Sequence, residues 1–112
     1  MKLDYTRARS TTVVVVNATS LDADNSATFR GAMEDALRAE GDVVVDLDAL
    51  EFIDSSGLGA LLTCLREITA RGGEMKLCCV SSPVRAIFDL TRMHRILDIH
   101  RDRDAALDAL ES

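Results

Sequence analysis

The chain contains no tryptophan, a single tyrosine, three phenylalanines and one proline in 112 residues. Aromatic residues make up 4% of it, against 47% for apolar residues as a whole, so the core must be built from Val, Leu, Ile, Ala and Met. Long apolar runs are also missing. Thr11–Val16 is too short and too β-branched for the core of a signal peptide, and nothing approaches the ~18 apolar residues of a transmembrane helix. These absences predict a soluble, cytoplasmic protein with no membrane partner. Positive charge is scarce: 13 Lys and Arg stand against 19 Asp and Glu, for a net charge of −6. A nucleic-acid binder needs a basic footprint to displace counterions, so the expected partner is another protein. Histidine is limited to His94 and His100, and cysteine to Cys64, Cys78 and Cys79. No C-x-x-C pair exists, and a zinc site wants four well-spaced ligands. No metal and no cofactor are expected. Cys78 and Cys79 are neighbours on an expected strand and should point to opposite faces, as structural thiols.

A chain of this length is one domain, residues 1–112, and buries roughly two-thirds of its unfolded surface. Lys2–Thr6 reads as a weak edge strand. Thr11–Asn17, with four valines in a row, reads as a strand covered on both faces, and a loop follows at 18–23. The first helix starts at the cap cluster 24-DNS-26 and runs to about Ala39. Phe29, Met33, Ala36 and Leu37 face the core, and Gly41 ends the helix. Val43–Leu47 is the expected central strand. The loop after it must tuck Leu50, Phe52 and Ile53 inward. The second helix begins at Ser55 or Ser56 and runs to about Ala70, burying Leu58, Leu61, Leu62, Leu65 and Ile68. A strand follows at Glu74–Val80, and 81-SSP-83 starts a third helix that buries Val84, Ile87 and Phe88. A short strand near Ile96–His100 precedes a last helix capped by Asp102 or Asp104. Strands alternating with helices after an initial hairpin imply an α/β fold with a partly parallel sheet.

The stretch 53-IDSSGLGALL-62 is the least ordinary in the chain. A helix start needs one capping side chain, which Asp54 or Ser55 supplies. It does not need a second serine, nor Gly57 and Gly59, each costing a helix about 1 kcal/mol relative to Ala. Enzymatic readings fail on the residues present. The G-x-S-x-G elbow of a serine hydrolase lacks its first glycine. The two histidines lie in the basic stretch 92-RMHRILDIHR-101, far from any motif. A phosphate-binding loop lacks its lysine, and a dinucleotide fingerprint lacks its third glycine, which is Leu62. No catalytic residue is assigned. What remains beside a plain cap is a recognition surface. A serine at a helix start is accessible, and phosphorylation there adds about −1.5 to −2 charge. The positive end of the helix dipole tolerates that charge, while a protein docked over the turn meets bulk and a new anion.

The block 45-VDLDALEFIDSSGLGALLTCLREITARGGEMKLCCVSSPVRAIFDLTRMHRIL-97 resembles the STAS domain of bacterial anti-sigma factor antagonists. The marks are D-S-S-G-L-G, the amphipathic helix after it, G-G-E-M before the next strand, and the S-P helix leading to a short strand. The resemblance extends more loosely over the whole chain. It implies a mixed sheet of four to five strands with about four helices, and no catalysis. It implies binding to an anti-sigma factor that is itself a serine kinase of the histidine-kinase-like ATPase type. That kinase phosphorylates the first serine of the turn and a serine phosphatase reverses the step. Carried over, the acceptor is Ser55, with Ser56 as runner-up and otherwise a partner-binding helix-start residue. Asp54 shapes the turn, Gly57, Leu58 and Gly59 lie under the partner, and Asp22 contacts it. Thr19 stands where family members often carry glycine. The alternative is a STAS scaffold or adaptor in a signalling or lipid-transport assembly without a sigma-factor output.

Overall fold

The valine run forms the strand expected of it, and its two faces bury against different layers. The computed structural model describes residues 1–111. Strand β1 (Lys2–Ala8) pairs antiparallel with β2 (Thr11–Asn17) across a tight turn in which Arg9 and Ser10 both take positive φ, 52° and 65°. The sheet then continues in parallel through β4 (Val43–Asp46), β6 (Met75–Cys78) and β7 (Asp98–His100). The order is β1-β2-β4-β6-β7, with β4 at the centre as expected. A second, two-stranded sheet pairs β3 (Ser20–Leu21) with β5 (Phe52–Ile53) in parallel. It lies within segments that read as loops, because two residues are too few to show a period.

Alternation in the strands sorts the core. Val14, Val16, Val43, Val45 and Leu77 bury on one face, among side chains from α1 (Ser26–Ala32), α2 (Glu34–Arg38), α3 (Ser55–Ala70) and α4 (Ser82–Leu90). Val13, Val44 and Cys78 bury on the other, under Ala106 and Leu107 of α5 (Arg103–Glu111). Asp102 caps α5 by accepting from the Ala105 N–H at 2.8 Å.

Several expectations are corrected. The first helix is two short ones, divided at Met33, whose N–H reaches both Gly31 and Phe29 carbonyls. The core stripe survives because Phe29, Met33 and Ala36 stay fully buried. Gly41 does not close the helix; Ala39 does, in an extended conformation. Gly41 is needed for another reason. Its φ is +92°, and a Cβ there would stand 2.7 Å from the Ser10 carbonyl oxygen. Phe52 does not tuck inward: it is 50% exposed while Leu50 and Ile53 are buried. Ser81 sits at the start of α4 but its hydroxyl donates to the Leu50 carbonyl instead of capping. The last strand is shorter than expected because Met93–Arg95 winds into a 3₁₀ turn. Cys78 and Cys79 do not point to opposite faces. Cys79 leaves the strand with φ 64°, which brings its sulfur to 3.2 Å from that of Cys78.

One surface ion pair makes a pH prediction. Lys76 on β6 pairs with Asp98 on β7. The hydrogen bond from Lys76, helped by the His100 ring whose Nε2 lies 3.2 Å from the carboxylate, holds the Asp98 carboxyl below its usual range against the opposing effect of burial. A folded pKa lower than the unfolded one adds stability above the unfolded pKa, and that stability fades as pH falls through the folded value. Asp98→Asn should therefore lower the urea midpoint slightly near neutrality, by less as the pH falls, and not at all once the pH lies below the folded-state value. A constant difference at every pH would rule out this linkage.

Candidate functional site

The turn between β5 and α3 is assembled from both sides. Leu21 on β3 accepts the Asp54 N–H at 3.1 Å, and Asp54 then leaves the strand in an extended conformation as the N-cap of α3. One carboxylate oxygen of Asp54 accepts from the Gly57 N–H at 3.0 Å, and the other accepts from the Ala23 N–H at 3.1 Å. Asp54 is thus both a helix cap and a clamp on the neighbouring loop. That loop is held by its own network. Ser20 donates to one Asp22 carboxylate oxygen at 3.1 Å, the Asp24 N–H donates to the other at 3.0 Å, and Asn25 bonds to both the Asp22 N–H and the Ser20 carbonyl. Thr19 accepts from the Glu51 and Phe52 N–H groups through its carbonyl. Its φ is not positive, so the backbone at this position does not require glycine.

The two serines are not equivalent. Ser55 is exposed and Ser56 is half-buried, and neither hydroxyl makes a hydrogen bond among the described residues. The two glycines differ as well. A Cβ on Gly57 would stand 2.3 Å from the Leu21 carbonyl oxygen and 2.7 Å from Ile53 Cγ1. The backbone that approaches Gly57 closely is therefore the chain's own β3. A Cβ on Gly59 would meet nothing within 4 Å. Gly59 is exposed and four residues from Ser55, on the same face of α3. Leu58 is 6% exposed and turned into the core.

Sequence reasoning placed Asp22, Asp54, Ser55, Ser56 and Gly59 together, and the structure gathers them at one end of the sheet. It moves Gly57 and Leu58 beneath that surface. It adds Phe52, which sequence reasoning buried; β5 is only two residues long and carries no period that could have shown Phe52 facing outward. The site holds no accessible thiol. Cys64, on the buried side of α3, has its thiol pushed up to about 12, chiefly by burial and further by Glu67. Replacing Asp54 by alanine should cost about 1 kcal/mol for the lost cap, with faster amide exchange at Ala23 and Gly57. Unchanged exchange at both amides would show that the clamp does not hold the turn.

These features define a single-domain α/β protein with an accessible serine at the start of a clamped helix. The sequence pattern of the STAS domain matches residues 3–106. The anti-sigma F factor antagonist of Paenibacillus polymyxa is 36% identical over 93 residues, spanning 81% of this chain and 80% of the relative. An anti-sigma-factor antagonist (STAS) domain protein from Planctomyces limnophilus superposes with a TM-score of 0.89 at 21% identity, covering 98% of both chains. The anti-sigma factor antagonist SpoIIAA in its unphosphorylated form superposes at 0.76 with 24% identity, over 98% of this chain and 96% of SpoIIAA. The phosphorylated form of SpoIIAA from Bacillus superposes at 0.67 with 23% identity, over 97% and 99%. The superpositions establish the fold, and the pattern and the Paenibacillus relative establish the kinship: the chain belongs to the STAS-domain family, among the anti-sigma factor antagonists. Among the described residues no helix is long and apolar enough to cross a membrane.

Proposed function

We propose that this chain is the phosphorylation-controlled antagonist of a partner-switching module. Unphosphorylated, it docks on an anti-sigma factor that is a serine kinase of the histidine-kinase-like ATPase type, and so frees a sigma factor. The kinase transfers the γ-phosphoryl group of ATP to the Ser55 oxygen, the hydroxyl proton leaves, and the complex separates. A serine phosphatase restores the docking form, all within the cytoplasm. The chain is a substrate and a ligand in this cycle and catalyses nothing.

The observation that carries this reading is the exposed, unbonded Ser55 hydroxyl on a helix start that Asp54 already caps. Since the cap is a different residue, Ser55 is free to be modified without loss of the helix. The likeness to the Paenibacillus antagonist, and to SpoIIAA, solved both unphosphorylated and phosphorylated, supports it. Ser55, Gly59 and Phe52 form the contact surface, with Phe52 as an aromatic anchor of the kind that dominates interfaces. Gly57, Leu58 and Asp54 act by positioning that surface. Asp22, Asp24, Glu51 and Asp54 make the surroundings acidic, so the partner presents a basic face. A phosphate at Ser55 is stabilised by the start of α3. The same phosphate adds bulk and charge where the partner packed against a small neutral hydroxyl, and so disrupts the contact.

The test is a pair of pull-downs from native-host lysate with Mg-ATP, with Ser55→Ala and Ser55→Asp as baits. Ser55→Ala should retain an ATPase of the stated type and take up no phosphate. Ser55→Asp should hold it at least about 10-fold less tightly, a change of about 1.4 kcal/mol. Phosphopeptide mass spectrometry of wild type should place the group on Ser55. Modification at Ser56 alone would move the acceptor. Equal capture by both baits, or capture of no such ATPase, would favour the scaffold or adaptor role.

A further inference from the structure

The α5 side of the sheet holds a side-chain cluster that the serine turn does not use. Asp46 ends β4 and Cys78 ends β6, and the two are register neighbours in the parallel pair. Cys78 packs with Ala106 and Leu107 of α5, and Asp46 accepts from Arg103 of the same helix at 2.8 Å. Cys79 follows with φ 64°, a left-handed conformation that side chains rarely adopt. That turn folds its thiol back to 3.2 Å from the Cys78 sulfur. A carboxylate oxygen and both sulfurs lie within 4.8 Å of one another. His100 neighbours Cys78 across β6–β7, but its Nε2 is turned towards Asp98, 3.2 Å away.

We infer that Asp46, Cys78 and Cys79 form a binding site for a thiophilic divalent cation, Zn(II) or its heavier congener Cd(II). The donor set is two sulfurs and one oxygen, which borderline-soft cations take. The spacing favours a metal over a disulfide. Two sulfurs on one tetrahedral zinc stand ~3.8 Å apart, so the pair, at 3.2 Å, has little to open. A disulfide needs ~2.05 Å and a Cα separation wider than adjacent residues allow. Asp46 retains a donor site on each oxygen: one accepts from the Asp48 N–H and the other from Arg103, and each keeps a second lone pair. On binding, two S–H bonds break, two sulfur–metal bonds form, and two protons pass to solvent. Two thiolates and the Asp46 carboxylate against the divalent cation and Arg103 sum to zero charge. Cys79 is half-buried, which gives the ion an entry route and a water the fourth position. Arg103 orients the carboxylate ligand from behind.

The test is titration of the reduced full chain with cadmium chloride, read by the ultraviolet thiolate-to-cadmium charge-transfer band, and with zinc chloride, read by thermal melting. Wild type should saturate at one equivalent and melt higher with zinc. Cys79→Gly should lose both responses while keeping its fold, because glycine relaxes the left-handed backbone at that position. Cys78→Ala should also lose them, Asp46→Asn should bind about 10-fold more weakly or worse, and Cys64→Ala should behave as wild type. No saturable band in wild type, a band that persists in Cys79→Gly, or one that vanishes in Cys64→Ala would overturn the site.

Discussion

Alanine at position 57 is expected to destabilise the protein by about 3 kcal/mol, at the upper end for overpacking, whereas alanine at position 59 should stabilise it by up to about 1 kcal/mol. The two substitutions are chemically identical and two residues apart on one helix. They differ in what the new methyl group meets. At 57 it lies 2.3 Å from the Leu21 carbonyl oxygen and 2.9 Å from the Leu21 carbonyl carbon. Backbone cannot yield as a flexible side-chain tip can, so α3 must retreat from β3. That retreat strains the Asp54 clamp and the β3–β5 pairing together. At 59 the methyl group meets open space, and the helix gains the difference in backbone entropy between Gly and Ala. Urea unfolding of both variants at one pH reads the two signs directly. A Gly57→Ala protein as stable as wild type would show that the β3–α3 approach is looser than the structure has it. Binding separates the glycines a second time. Gly59→Ala, though more stable, should capture less of the partner, because its methyl group projects on the face that carries Ser55.

Leu61→Ala should cost about 2–5 kcal/mol and lower the melting temperature by roughly 10 °C or more. Leu61 is fully buried among Val14, Val45, Ile53 and the other residues of the larger core. Val14 and Val45 lie on β2 and β4, strands paired on both sides, so this part of the core cannot collapse into the space left behind. The loss therefore combines lost transfer energy with an unfilled cavity. Because α3 carries Ser55, the same variant should loosen the turn, with amide protection falling along the first two turns of the helix. A melt indistinguishable from wild type would mean that another face of α3 is buried.

The elements legible in the sequence are those with long, one-sided or two-sided apolar patterns. β2 and α3 run between the residues expected, 11–17 and 55–70, because four valines admit little but a doubly covered strand and the α3 stripe has one period. The serine-bearing helix start was legible for a related reason: caps, glycines and hydroxyls are local chemistry, written in consecutive residues. Short elements were not legible. β3 and β5 exist because each supplies hydrogen bonds to the other across 30 residues of chain, and neither has a pattern of its own. The exposure of Phe52 follows from that pairing, which points Ile53 inward.

The sequence alone determined the class of fold, the aliphatic core, the acidic character and the presence of a serine-bearing helix start. Those properties depend on composition, period and near neighbours. Only the tertiary structure decided what each residue of that start does. It gave the cap to Asp54, leaving Ser55 free. It set Gly57 against Leu21 and left Gly59 in the open. It also turned Cys79 back on Cys78 beside Asp46. Each of these rests on contacts between segments distant in the chain, or on a backbone conformation imposed by the surrounding fold, and no local pattern encodes either.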